Sequence, residues 1–356
     1  MICILLNHLS LYPSAWQYFT GRGGMWISAA EGFFFISGLM VGLIRGFEYK
    51  NTKSLSFIAN KLAKRALSLY IILICSSLLS LLIIYFVYKI SGSIPFYQPS
   101  IFKNINNLFW EMIKLNAIFG WSDFLRFYVI FLIISIPMLW LLKKNMWYLV
   151  MGIAILCWFE PRLAIFPFDV FYFYMLTYFL LGLSFGYYYD EIKFYYDKFS
   201  SNTKKNIETA SILLILSIII LNYLTNFIKI PSDLNINSIT RSLTLYKFQR
   251  NPFTEVYLYN NRSGILRLPI FIILSAGVFF IFKKITPFIS KRLDWLIGEL
   301  GRNSLRAYVV GGIMTLLLRY WVRDTTFVYN TLVSFLFIYI ILKLINFKWL
   351  KSILPR

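Results

Sequence analysis

Apolar residues run through this chain in long blocks separated by short polar or basic connections. A helix that crosses a bilayer needs about 20 mostly apolar residues. Blocks of roughly that length stand near 1–12, 27–45, 66–88, 123–142, 145–160, 168–189, 207–228, 265–282, 299–320 and 326–346. They predict an all-α fold: a polytopic integral membrane bundle of about ten transmembrane helices, with 1–356 forming a single membrane-embedded domain. The first block is short. Only about a dozen residues precede Pro13, too few to cross at 1.5 Å per residue, so a truncated first helix is expected, from a fragment or a late start. Met1–Leu6 has no basic leader and no small-residue cleavage site after it, so no cleavable signal peptide is expected.

The connections carry two further patterns. Segment 90–122 holds Pro95, Pro99 and an amphipathic stretch, Ile105–Leu115, with Ile105, Leu108, Phe109 and Met112 on one side. That pattern predicts an interfacial helix on the outer face. Segment 229–264 is polar and irregular, too short to bury a core of its own. The blocks share no period and no Gly- or Pro-broken pair, which argues against an inverted-repeat transporter.

Composition agrees with a membrane class. Hydrophobic residues make up 59% and charged residues 14%, against roughly 25% charged in soluble domains. The net charge of +21 raises the possibility of a nucleic-acid partner, and its distribution rejects it. Basic residues gather at alternate connections: Arg45 to Arg65, Lys143 and Lys144, Lys193 to Lys205, Lys283 to Arg292, and Lys348 to Arg356. This is the positive-inside pattern. It predicts an inner (plasma) membrane protein with both termini cytoplasmic and 13–26, 90–122, 161–167, 229–264 and 321–325 outside. The 229–264 loop fits less well, because it carries Lys229, Arg241, Lys247, Arg250 and Arg262; long loops follow the rule loosely. Cys3, Cys75 and Cys157 are scattered, and with one histidine they offer neither a disulfide framework nor a metal spacing. The aromatic clusters Phe171–Tyr174 and Tyr187–Tyr189 read as interfacial belts.

Ionisable groups inside apolar blocks are costly and usually functional. His8, the single histidine, stands in the first block. It is either a proton-transfer group or an interfacial histidine bonded to a carbonyl. Glu31 stands in the second block among Ala29, Ala30 and Gly32. It either orients His8 and holds its imidazolium or snorkels near Trp26. Ser37, Gly38 and Gly42 follow; Ser37 has no neighbouring base, and close helix packing explains the group better than a nucleophile. Arg45, Lys61, Lys64 and Arg65 satisfy the positive-inside rule and also suit the phosphates of a nucleotide-bearing donor. Asp123 reads as a helix N-cap or as a ligand-binding acid. Arg262 and Arg267 read as interfacial cations or as an anion site.

Taken in order, Asn7-His8, Ala29 to Gly38 and Lys64 to Tyr70 resemble the OpgC family of glucan succinyltransferase-like proteins. Asp123 to Tyr128 with Pro137, the Arg262–Arg267 stretch and Gly301-Arg302-Asn303-Ser304-Leu305 agree along nearly the whole chain. The family looks related to the wider acyltransferase type 3 superfamily of membrane O-acyltransferases. The resemblance implies transfer of a succinyl or acetyl group from cytoplasmic acyl-CoA, the donor substrate, to a glycan hydroxyl at or beyond the outer face. No bound cofactor and no metal are implied; the partners are membrane lipid, acyl-CoA and a glycan acceptor.

By the same resemblance His8 matches an essential first-span histidine; the expectation built on it makes His8 the general base, with Glu31 orienting it or stabilising its charged form. Arg45, Lys64 and Arg65 hold the donor, while Asp123, Arg262 and Arg267 hold acceptor or acyl group. Two family features lack counterparts: an arginine about ten residues before the histidine, and an opening Asp-x-x-Arg-Gly. The sixth block lacks an expected Trp-Gln but keeps the glycine spacing at Gly182 and Gly186. The rival classes are a transporter or flippase using His8, Glu31 and Arg267 as a polar path, and a non-catalytic relative that scaffolds an envelope-glycan complex.

Overall fold

A computed structural model of the protein describes residues 1–21, 25–51, 54–92, 105–163, 170–228, 246–247, 266–322 and 326–354. Each predicted apolar block contains a helix among the described residues. In chain order these and their companions are α1 (Ile2–Leu9), α2 (Ala29–Val41), α3 (Leu55–Ser91), α4 (Ile105–Ile113), α5 (Phe124–Lys143), α6 (Trp147–Leu163) and α7 (Val170–Tyr187). They continue with α8 (Tyr189–Asp197), α9 (Ser201–Asn226), α10 (Arg267–Phe288), α11 (Ser304–Trp321), α12 (Phe327–Leu344) and α13 (Lys348–Ile353). Among the described residues, six helices are long and apolar enough to cross a membrane, where the sequence predicts about ten spans. Two of them gain length by running on through π-helical turns: α2 to Asn51, and α10 to Arg302. A two-residue antiparallel ladder, Phe227–Ile228 with Tyr246–Lys247, is the one strand pairing among the described residues. Pro95, Pro99, Arg262 and the 229–264 loop apart from Tyr246 and Lys247 lie outside those residues.

Local chemistry sets the helix ends. Glu31 closes a capping box at the start of α2, its Oε2 accepting from Ser28 N–H at 2.8 Å. The Ser54 hydroxyl oxygen caps α3 by accepting from Phe57 N–H at 3.2 Å, and Gly92 ends that helix at φ 69°. Asn145, at φ 58°, turns the chain from α5 into α6.

The core centres on α7, whose residues from Tyr174 through Leu180 are all buried. Helix α2 lies against it through two glycine pairs, Gly38 with Gly42 and Gly182 with Gly186. A Cβ at Gly38 would sit 2.0 Å from the Phe179 carbonyl, and one at Gly182 would sit 2.0 Å from that of Phe35. The two backbones therefore touch, as small-xxx-small packing in membranes allows. Ser37 donates to the Phe33 carbonyl at 2.8 Å, a bond within its own helix. Helix α6 covers another side of α7, and α3 runs beside α5. The α9–α10 pair is mostly uncovered, with Leu213, Ile220, Phe279 and Phe282 exposed. Such all-apolar surface suits contact with lipid tails.

Helix α4 forms where an amphipathic helix is expected. Its Leu108 and Met112 pack on Ile84 and Phe119, while Phe109 and Trp110 remain exposed.

Candidate functional site

Two charged side chains meet inside the bundle. Arg267, the first residue of α10, donates from Nε to Glu31 Oε1 at 2.5 Å. Glu31 is 0% and Arg267 3% exposed. Neither side chain reaches the surface, so the snorkelling readings of both give way to a buried ion pair that joins α2 to α10. The pair sits in an aromatic box. The Arg267 guanidinium lies 6.0 Å from the Tyr174 ring centroid, and Tyr178 packs on Phe271 at 4.6 Å. The Tyr178 hydroxyl is within electrostatic reach of both partners and donates to the Tyr174 hydroxyl at 3.2 Å. Low-dielectric surroundings strengthen such a pair and make it costly to break.

His8 occupies a second centre. Its ring lies 4.4 Å from that of Trp121, tilted by 32°, and 6.4 Å from that of Tyr308. Among the described residues its Nε2 is buried and meets no hydrogen-bond partner. A buried imidazole nitrogen with no partner is costly and calls for an explanation. Trp121 reaches His8 from a loop that inserts between α3 and α11. Gly312 stands about 12 Å along α11 from Ser304, and Trp121 packs against it. The loop is tied down along its length: Tyr70 donates to the Ile113 carbonyl at 2.8 Å, and Phe119 N–H donates to Ser77 Oγ at 2.7 Å. Gly120 has φ +75°, and a Cβ there would lie 2.5 Å from Ser80 Oγ, so a glycine is required.

The two centres are joined through a run of aromatic rings. Phe34, one turn beyond Glu31, stacks on Phe124 at 4.8 Å; Phe124 meets Tyr308 at 6.1 Å, and Tyr308 meets His8. Among the described residues Glu31 makes no hydrogen bond to His8; its oxygens go to Arg267 and Ser28.

The remaining candidates fall around these centres or away from them. Asp123 occupies the N-cap position of α5 with helical dihedrals and no capping bond, so the N-cap role expected of it is not filled. It is exposed and lies beside Tyr308 electrostatically, which places it near His8. Asn7 bonds the Tyr12 hydroxyl through Oδ1 at 3.1 Å, and that hydroxyl reaches Thr20 at 3.0 Å. Arg45 is bound to Glu48 at 2.8 Å, and Lys61 shares that carboxylate at 2.9 Å. Lys64 is exposed and Arg65 half-buried, and among the described residues neither has a carboxylate partner. The Gly301–Leu305 motif serves packing: Arg302 pairs with Asp294, and Asn303 bonds Glu299 and the buried Arg306. Arg262 lies outside the described residues.

A family model described as OpgC protein matches residues 1–352. The chain belongs to the OpgC family. At the level of that family it is a membrane protein suggestive of glucan-modifying acyl transfer. Nothing matches among curated proteins or among solved structures.

Sequence reasoning did not single out Trp121, Tyr308 or Tyr178. The glycine before Trp121 was a signal for the loop, since a glycine at a turn marks a special backbone conformation. Nothing in the order of residues pointed to the two tyrosines.

Proposed function

We propose that this OpgC-family chain is an inner-membrane O-acyltransferase that moves a succinyl or acetyl group from cytoplasmic acyl-CoA to a hydroxyl of a periplasmic or cell-envelope glycan. The observation that carries the reading is the buried, unpartnered Nε2 of the single histidine, placed against an inserted loop. That nitrogen is the acceptor for the glycan hydroxyl proton. The freed oxygen attacks the thioester carbonyl carbon, the C–S bond breaks, and the coenzyme A sulfur leaves with the proton returned from the imidazolium. The acyl group ends as an ester on the glycan. A thioester is already activated, so positioning and proton removal are the main tasks.

Lys64 and Arg65, with no carboxylate of their own among the described residues, hold the donor phosphates. Arg45 is held by Glu48 and adds to the positive field at that end of the helices. Asp123, exposed beside Tyr308, holds an acceptor hydroxyl near His8. Glu31 neutralises Arg267 and fixes α2 against α10, so its support of His8 runs through the aromatic stack. Both termini lie in the cytoplasm in this reading, as the basic connections favour.

The test is transfer of radiolabelled succinyl-CoA or acetyl-CoA into osmoregulated periplasmic glucan in membranes that carry the protein. His8→Ala is expected to abolish incorporation while the protein remains inserted. Undiminished incorporation by that variant removes His8 as base. No incorporation by the unaltered protein favours transport without chemistry.

A further inference from the structure

Proton transfer leaves a positive charge on His8, and the one carboxylate of the neighbouring apolar helix is bonded to Arg267. We propose that Trp121 is the positioning residue of His8: its indole face fixes the imidazole and stabilises the imidazolium formed when the acceptor loses its proton. The inference rests on the reading of His8 as the base.

The geometry supports a face contact. The ring centroids are 4.4 Å apart at 32°, inside the range of about 6 Å over which a cation is attracted to an aromatic face, with tryptophan the strongest partner. The attraction grows as water is excluded, and His8 Nε2 is buried.

The loop carrying Trp121 is held on three sides. Gly120 fits against Ser80 only because it lacks a Cβ, Ser77 holds the Phe119 amide, and Gly312 opens space on α11 for the Trp121 backbone. A Cβ at Gly312 would lie 3.3 Å from that of Trp121, close enough to push it. So elaborate a mounting is unnecessary for an apolar filler. The elements packed around α1 also carry Arg306, Tyr308 and Arg319 on α11, Tyr329, Tyr339 and Lys343 on α12, Tyr18 in the turn after α1, and Glu31 on α2, with Asp123 beside Tyr308. Arg319 reaches the Ser10 carbonyl at 3.3 Å, and Glu31 is committed to Arg267.

The experiment compares Trp121→Phe, Trp121→Leu and Gly312→Ala with the unaltered protein in the labelled acyl-CoA assay across pH, with His8→Ala in parallel. Trp121→Leu is expected to lose about tenfold in turnover, with the acid limb of its profile moved to lower pH, because the unstabilised imidazolium gives up its proton more readily. Trp121→Phe is expected to retain most of the rate, and Gly312→Ala to move the limb in the same direction as Trp121→Leu. Equal losses in the Phe and Leu variants with an unmoved limb would show a merely structural tryptophan and overturn the proposal, as would unaltered turnover in Trp121→Leu. If the Leu variant does not fold, an unmoved limb in Gly312→Ala overturns it. Full activity in His8→Ala is a different failure, that of the base itself.

Discussion

Glu31 and Arg267 stand 236 residues apart in the chain and meet at 2.5 Å, both closed off from the surface. A buried pair is poor evidence of net stabilisation, but losing one partner strands the other. Glu31→Gln and Arg267→Met are each expected to lower stability by about 3–5 kcal/mol. The double variant is expected to recover much of that loss, since neither charge is left alone. Thermal unfolding in detergent micelles measures the cycle. Additive losses in the double variant would mean the two side chains are not energetically coupled.

The helices were legible because a bilayer demands long apolar runs and each run leaves a visible block. That α2 packs closely was legible from Gly38 and Gly42, but its partner was not: Gly182 and Gly186 read only as a family spacing until the bundle set them against α2. The partner of Glu31 was not. Sequence proximity favoured His8, whereas the bundle brings Arg267 from the far half of the chain. Trp121 stayed hidden for a different reason: a polar, glycine-containing segment reads as an external loop, and only tertiary contacts to Ser77, Ser80 and Gly312 show that it inserts.

The glycine contact gives a graded test. Gly182→Ala places a methyl 2.0 Å from the Phe35 carbonyl, and the opposing atom is backbone that cannot swing aside. Overpacking of this kind costs about 1–3 kcal/mol or more. Gly32→Ala meets nothing within 4 Å and is expected to be neutral or to gain up to about 1 kcal/mol of helix propensity. Melting temperatures of the two purified variants decide. A Gly182→Ala protein as stable as Gly32→Ala would mean that α2 and α7 do not touch.

The loop that carries Trp121 begins at a pH-sensitive fastening. Glu111 accepts from Asn116 Nδ2 at 2.9 Å and pairs with Lys114 at 3.3 Å. These two contacts, the Asn116 bond first, hold its carboxyl below the ordinary carboxylate value. A depressed folded value means the contribution is complete above the unfolded carboxylate value and is lost as pH falls through the folded one. Amide exchange across 114–120, corrected for its intrinsic pH dependence, is expected to speed up as pH falls through that window. Glu111→Gln is expected to show no such step. A step of equal size in both proteins would place the sensitive group elsewhere.

Arg306 offers the plainest separation of a buried from an exposed arginine. It is 4% exposed and donates from Nε to the Leu354 carbonyl at 2.6 Å, from one terminal nitrogen to Asn303 Oδ1 at 2.5 Å, and from the other to the Lys351 carbonyl at 3.3 Å. Two of these bonds satisfy carbonyls at the end of α13, where positive charge is also favoured by the helix dipole. Arg306→Ala is expected to cost about 2–3 kcal/mol and to open the Lys348 and Lys351 bonds to trypsin. Arg302, four residues earlier, pairs with Asp294 and Glu299 at a half-exposed position. Arg302→Ala should be close to neutral, since exposed ion pairs contribute little, and leave cleavage at α13 unchanged. Equal protection of α13 in both variants would show that the carbonyl bonds of Arg306 do not hold the helix in place.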